Sequence, residues 1–179
     1  MGKVGTSDKR SILMSSKTEK IDLVITHVFD TPVEQVWNAW IDPEVVMQWW
    51  GPDHFTCPLA KIDFRVGGTS LLCMRAPQEF GGQDSYNTAE YTNIVPMQQI
   101  DFLQNLTDAN GTKLDTSTMG FPSEFPQELH TQLSFKALGN GKTELTVTEY
   151  AWPEGQMLEM SRMGMEQCLA KMAATFVQA

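Results

Sequence analysis

Residues 29–52 read FDTPVEQVWNAWIDPEVVMQWWGP, and the fold follows from how this stretch is read. Thr31-Pro32-Val33-Glu34 has the form of a capping box with proline at the first helical position. Val33, Val36, Trp37 and Trp40 then recur at helical spacing. Asp42-Pro43 opens a second helix bearing Val45, Val46, Trp49 and Trp50, and Gly51-Pro52 stops it. Trp37 and Trp40 fit a core stripe. Trp49 and Trp50 are adjacent and cannot face the same way, so one of them belongs at a rim or a cavity mouth.

Strands flank these two short helices. Before them, Ile21, Leu23, Ile25 and Phe29 alternate with Asp22, Thr26 and Asp30. After them, residues 55–66 alternate through Ala60, Ile62, Phe64 and Val66. Gly67-Gly68 makes a tight turn into a strand over 69–75. Further strands are expected at about 86–95 and 98–106, with Pro96 between them, and at about 128–138 and 142–151. Gly139-Asn140-Gly141 joins the last pair as a hairpin. The stretch 107–127 holds Asn110-Gly111, Gly120, Pro122 and Pro126, and a loop of that length points to a lid, a binding loop or disorder. Beyond Trp152-Pro153 one helix is expected over about 154–177, with Leu158, Ser161, Met165, Cys168, Leu169, Met172 and Phe176 on one face. Met160 and Met163 lie on the far side of that helix, which core packing does not explain. They are either stray surface methionines or else a cavity lining or a patch for pairing into a homodimer. The order β-α-α-β-β-β-β-β-β-α, antiparallel with a segregated helix, is α+β. Residues 1–20 are polar and aperiodic and read as a tail, leaving one domain over 21–179.

Composition narrows the function. The 179 residues carry a formal net charge of −9 and 41% apolar residues, which suits a globular chain with one core. The acidic balance argues against nucleic acid and against an anionic membrane surface. No apolar run approaches a transmembrane length, and the N-terminus lacks the apolar stretch of a secretory signal, so a cytoplasmic setting is expected. Cys57, Cys73 and Cys168 are far apart and odd in number, as expected of buried free thiols and not of a zinc site or disulfide frame. No metal and no cofactor is expected. GxSxG, GxGxxG, Walker and HExxH patterns are absent. Two residues are catalytic candidates, each with a plain structural reading beside it. Glu149 shares strand parity with Leu145 and Val147, so it either faces the core as a base or ligand contact or reaches solvent at the strand end. His27 falls on the apolar parity of its strand, as a base or as a core-edge histidine. His130 has the opposite parity from Leu129, Leu133 and Phe135 and is expected to be exposed.

The blocks FDTPVEQVWNAWIDPEVVMQWWGP, IDFRVGG, EYTNIVPMQQIDF, GNGKTELTVTEY and GMEQCLAKMA together resemble the family named after the activator of the heat-shock-protein-90 ATPase, within the START and Bet v 1-like superfamily. The resemblance runs in order from about residue 21 to 177. It implies a helix-grip fold, in which a curved seven-stranded antiparallel sheet wraps the long C-terminal helix. It also implies three readings of function. The first is a small binding protein with an apolar cavity between sheet and helix, lined by Trp49, Phe64, Met74, Tyr91, Phe102, Met165 and Leu169. The second is a module that meets a chaperone through its acidic surface. The third is a cyclase-like enzyme using Glu149 or His27. The family commonly reads Gly-Trp-Glu-Gln where this chain has Gly164-Met165-Glu166-Gln167.

Overall fold

Alternating burial builds the first strand, β1 (Lys20–Phe29), whose Leu23, Ile25 and Phe29 turn inward while Val24, Thr26 and Val28 face out. The structure is a computed structural model and describes residues 19–177. Of the tail expected over residues 1–20, residues 1–18 lie outside the described residues, and Lys20 already opens β1. Helices α1 (Val33–Ile41) and α2 (Pro43–Trp49) follow. Six strands form a meander: β2 (Thr56–Lys61), β3 (Thr69–Arg75), β4 (Asp84–Val95), β5 (Gln99–Thr107), β6 (Leu129–Gly139) and β7 (Lys142–Pro153). β1 then joins β7, giving one antiparallel sheet in the order β1-β7-β6-β5-β4-β3-β2. The long helix α3 (Gln156–Val177) lies across its concave face, with Leu158, Met165, Cys168, Leu169 and Met172 buried. This is the α+β helix-grip arrangement.

Two local expectations are corrected. The capping box does not form, because α1 starts one residue late: Pro32 stands at the N-cap and makes no side-chain cap bond. Thr31 is buried instead, and its carbonyl accepts a 2.7 Å hydrogen bond from Thr143 Oγ1, which ties the start of α1 to β7. The second helix is capped as read, with Asp42 Oδ1 accepting from the Glu44 N–H at 3.0 Å. The strand expected over 55–66 ends at Lys61. Beyond it, the Arg65 N–H bonds to the Asp63 carbonyl and the Gly68 N–H to the Arg65 carbonyl, so turn bonds take over from the ladder. Gly68 is obligatory there, since a Cβ would lie 2.1 Å from the Asp63 carbonyl oxygen. Ile62 and Phe64 still pack against the core from this turn.

Candidate functional site

The concave face of the sheet is not uniformly apolar. Strand parity turns Ser70, Asn87, Gln104, Thr131 and Glu149 toward it, among Leu72, Ala89, Tyr91, Phe102, Leu133 and Val147. Gln104 Nε2 donates to Thr131 Oγ1 at 2.9 Å. Thr131 is paired across the sheet with Glu149. These side chains form a polar row across the concave face from β3 to β7.

Two chambers adjoin this row. The inner one, about 30 Å³, lies between the short helices and the sheet. Trp40, Val46, Trp49 and Trp50 close it from the helix side, and Leu72, Tyr91, Ile100 and Phe102 from the sheet. A water needs roughly 10–15 Å³ by this measure, so the chamber has room for about two. Ser70 Oγ and Tyr91 OH are hydrogen-bonded at 2.8 Å on its wall. Trp49 is fully buried, and its Nε1 donates to the Ala39 carbonyl at 2.8 Å. Its two neighbours are not so served. Trp40 Nε1 and Trp50 Nε1 are buried with no acceptor among the described residues. An unpaired buried donor costs about 1–3 kcal/mol, so each of these indoles calls for a partner.

The outer chamber, about 100 Å³, shares Asn87 and Gln104 with the inner one. It adds two more carboxamide residues, Asn105 and Gln127, and the rings of Phe125 and Trp152. Phe125 meets Trp152 edge-on at 5.8 Å and stacks on Phe121 at 4.3 Å. Phe121, Phe125 and Gln127 belong to the long 107–127 loop, so this loop roofs the chamber. The loop is tied down locally. Asn105 Nδ2 donates to the Gln127 carbonyl at 3.0 Å, and Gln127 Oε1 accepts from the Thr116 N–H at 3.1 Å. Asp115 caps the short 3₁₀ turn Thr116–Thr118, and the bonds it accepts from Ser117 hold its carboxyl below the usual range.

The residues singled out by sequence scatter around this site. Trp49, Tyr91 and Phe102 line the inner chamber. Phe64 packs edge-on against Trp37 and Tyr91 at 5.7 and 5.1 Å, and so stands behind the chamber. Met74 is half-buried beside Gly51, just after α2. Met165 and Leu169 sit in the core beneath α3 and line neither chamber. Glu149 is 4% exposed. Its Oε2 accepts from Trp152 Nε1 at 2.8 Å and from Ser161 Oγ at 2.9 Å. Burial raises its pKa, and these two bonds oppose that. His27 lies tilted against Phe29 with ring centroids 4.4 Å apart, and burial lowers its pKa. It is paired with Leu145 while Glu149 is paired with Leu23, so the two candidates are not a dyad. Both lie outside the chambers. Cys57, Cys73 and Cys168 are buried free thiols, and burial pushes Cys168 up to about 11. Sequence reading missed Ser70, Asn87 and Gln104, although each is a polar residue on an apolar strand parity.

A second polar cluster lies on the convex face. The buried Asp101 carboxylate accepts from Asn93 Nδ2 and Gln132 Nε2 at 2.9 Å each, and His130 Nε2 lies 3.4 Å away. His130 is exposed and stacks on Tyr150. These bonds, together with one from Gln99, outweigh burial and lower the Asp101 pKa. Both carboxylate oxygens are thereby occupied, so the cluster fastens four strands together and offers no free ligand.

The sequence profile of the family described as activator of Hsp90 ATPase homolog 1-like proteins matches residues 30–177. This chain belongs to that family. Solved structures of similar fold include a Staphylococcus epidermidis protein, 25% identical, covering 92% of this chain and 94% of its own with a TM-score of 0.70. An Arthrobacter aurescens protein is 24% identical, with 90% and 89% covered and a TM-score of 0.72. The AHSA1 protein of Silicibacter pomeroyi is 20% identical, with 88% and 99% covered and a TM-score of 0.69. No curated protein matches. Among the described residues of this Hsp90-activator-like chain, no helix is long and apolar enough to cross a membrane.

Proposed function

We propose that this member of the family is a binding protein for a small, flat, mainly apolar molecule that carries a hydrogen-bond acceptor. The observation behind this reading is the pair of unpaired indole donors, Trp40 Nε1 and Trp50 Nε1, on residues that line an apolar chamber. An acceptor atom brought against either N–H as the chamber widens would relieve it. Trp49, Tyr91 and Phe102 would supply area and ring edges. Asn87 and Gln104 would meet a second, neutral polar group at the boundary of the outer chamber. Neither chamber matches the roughly 150 Å³ that holds a benzene, so binding requires the chambers to widen at that boundary. The roof over 107–127 is the segment that must lift.

Two probes of similar shape test this reading, acetophenone with a carbonyl acceptor and ethylbenzene without one. In ¹H–¹⁵N spectra, acetophenone should move the indole N–H signals of Trp40 and Trp50 and leave Trp49 nearly still. It should bind about 5- to 10-fold more tightly than ethylbenzene, the worth of roughly one net hydrogen bond. Trp40→Phe should reduce that preference. Equal affinity for both probes, unchanged in Trp40→Phe, would sink the acceptor reading. Absence of binding by either at millimolar concentration would sink the whole proposal.

A further inference from the structure

The inner face of α3 is taken up by the core, but its outer face is not. Met160 and Met163 are 51% and 56% exposed. With Glu159, Arg162 and Glu166 they line a groove of about 350 Å³. A second groove, about 360 Å³, is lined by Pro122 and Glu124 of the long loop, by Glu154 and by Met157. The two share Gln156. The composite therefore runs along the first turns of α3, and from Gln156 to Glu166 it spans about 15 Å at 1.5 Å per residue.

Its chemistry is lopsided. Exposed Met160 and Met163, with half-buried Met157 beside them, provide an unbranched, polarizable surface that adapts to many shapes. Four acids, Glu124, Glu154, Glu159 and Glu166, stand around them. The one base is Arg162, and it is already engaged. Its Nε lies 3.8 Å from Glu159 Oε2, and its Nη1 donates to the Val24 carbonyl of β1 at 3.3 Å. The surrounding chain is itself acidic, at −9.

We propose that this groove docks a segment of another protein that joins apolar side chains to several lysines or arginines, with the apolar ones on the methionines and the basic ones against the four glutamates. Charge decides the occupant. A second copy would bring the same four glutamates to the same rim, and an anionic bilayer would face like charge. A cationic amphipathic segment meets apolar floor and acidic rim together. The groove residues line neither chamber, although Pro122 and Glu124 belong to the loop that roofs the outer one.

Fluorescence anisotropy with labelled 18-residue peptides tests it on the full chain. A helix of leucine and lysine should bind. Its leucine-glutamate counterpart should not, and a serine-lysine peptide of equal charge should bind at least about tenfold more weakly, since it lacks the anchors. Raising the salt from 50 to 500 mM should weaken the leucine-lysine complex by about tenfold or more. Met160→Asp with Met163→Asp should abolish binding, and Glu159→Lys with Glu166→Lys should weaken it, while the melting curve and the acetophenone response stay as in the parent. Equal binding of the two lysine peptides, or binding unmoved by the methionine changes, would overturn the proposal as mere charge attraction. A concentration-dependent dimer broken by Met163→Asp would overturn it in favour of a second copy. Capture by vesicles containing 20% phosphatidylserine would overturn it in favour of a membrane.

Discussion

Replacing Met165 with tryptophan restores the residue that the family commonly carries at this point of its last helix, and the structure says what should happen. Met165 is 9% exposed and sits on the inner face of α3 with Leu169 and Met172, both fully buried. Neither chamber touches it. Tryptophan is bulkier than methionine, so the added ring atoms enter neither chamber and must push α3 from the sheet or force neighbours off their rotamers. Overpacking of this sort costs about 1–3 kcal/mol. For a chain of this size, 1 kcal/mol lowers the melting midpoint by about 2–4 °C, so the expected drop is about 2–12 °C. Thermal unfolding followed at 222 nm measures it, and urea unfolding with an unchanged slope would show that the denatured state is unaffected. A midpoint within about a degree of the parent would refute the reasoning, because it would reveal spare volume beneath α3.

Other outcomes follow from single contacts. Glu149→Gln keeps an oxygen for Trp152 Nε1 and Ser161 Oγ but removes a buried charge whose folded pKa is raised. For a raised acid, the unfolded chain loses its proton first as pH climbs from about 4.5, so the parent loses stability between that value and the higher folded pKa. The variant should lack this loss and be the more stable at pH 7, as urea titrations at pH 4 and pH 7 would show, and parallel curves for the two proteins would contradict it. Ser70→Ala strands the buried Tyr91 hydroxyl and should cost about 1–3 kcal/mol, whereas adding Tyr91→Phe should recover part of it in a double-mutant cycle. Lys171 Nζ donates to the carbonyls of Gly51, Pro52 and Phe55, at 2.8, 3.4 and 3.1 Å. Lys171→Met should therefore speed amide exchange over residues 50–56 well before it affects β5 or β6.

Much of the fold was legible because it rests on local signals. The Pro-marked helix starts, the Asn140 hairpin and the stripe on α3 each encode their element within a few residues. What failed was set by partners distant in sequence. Thr31 looks like a cap until Thr143 claims its carbonyl. The alternation through Phe64 and Val66 looks like strand until turn bonds, and pairing of Gly67 and Gly68 with Tyr91, take the backbone. The same limit governs the candidate site. Aromatic residues such as Trp49, Tyr91 and Phe102 advertise burial but not which of them share one chamber. Met165 and Leu169 have equal apolar character and lie elsewhere. The polar row Ser70, Asn87, Gln104 was readable from parity, since each interrupts an inward-facing apolar series. That Trp40 and Trp50 lack acceptors depends on three-dimensional placement and has no sequence signature.

The closing of the sheet by β1 on β7 has a consequence for how the chain must be made. Thr26 and Thr146 meet across 120 residues. At synthesis rates of about 5–20 residues per second, β1 leaves the ribosome about 6–24 s before β7, its one strand partner among the described residues, exists. Through that interval Leu23, Ile25 and Phe29 have neither sheet nor helix to cover them. The meander β2–β6 can pair as it emerges, each strand with the next in sequence, but the N-terminal strand waits for nearly the whole chain. Nascent molecules side by side on one message would thus each display an unpaired β1 while a neighbour displays a fresh β7. Exchange of that strand between copies is the misassembly to which this topology is most open.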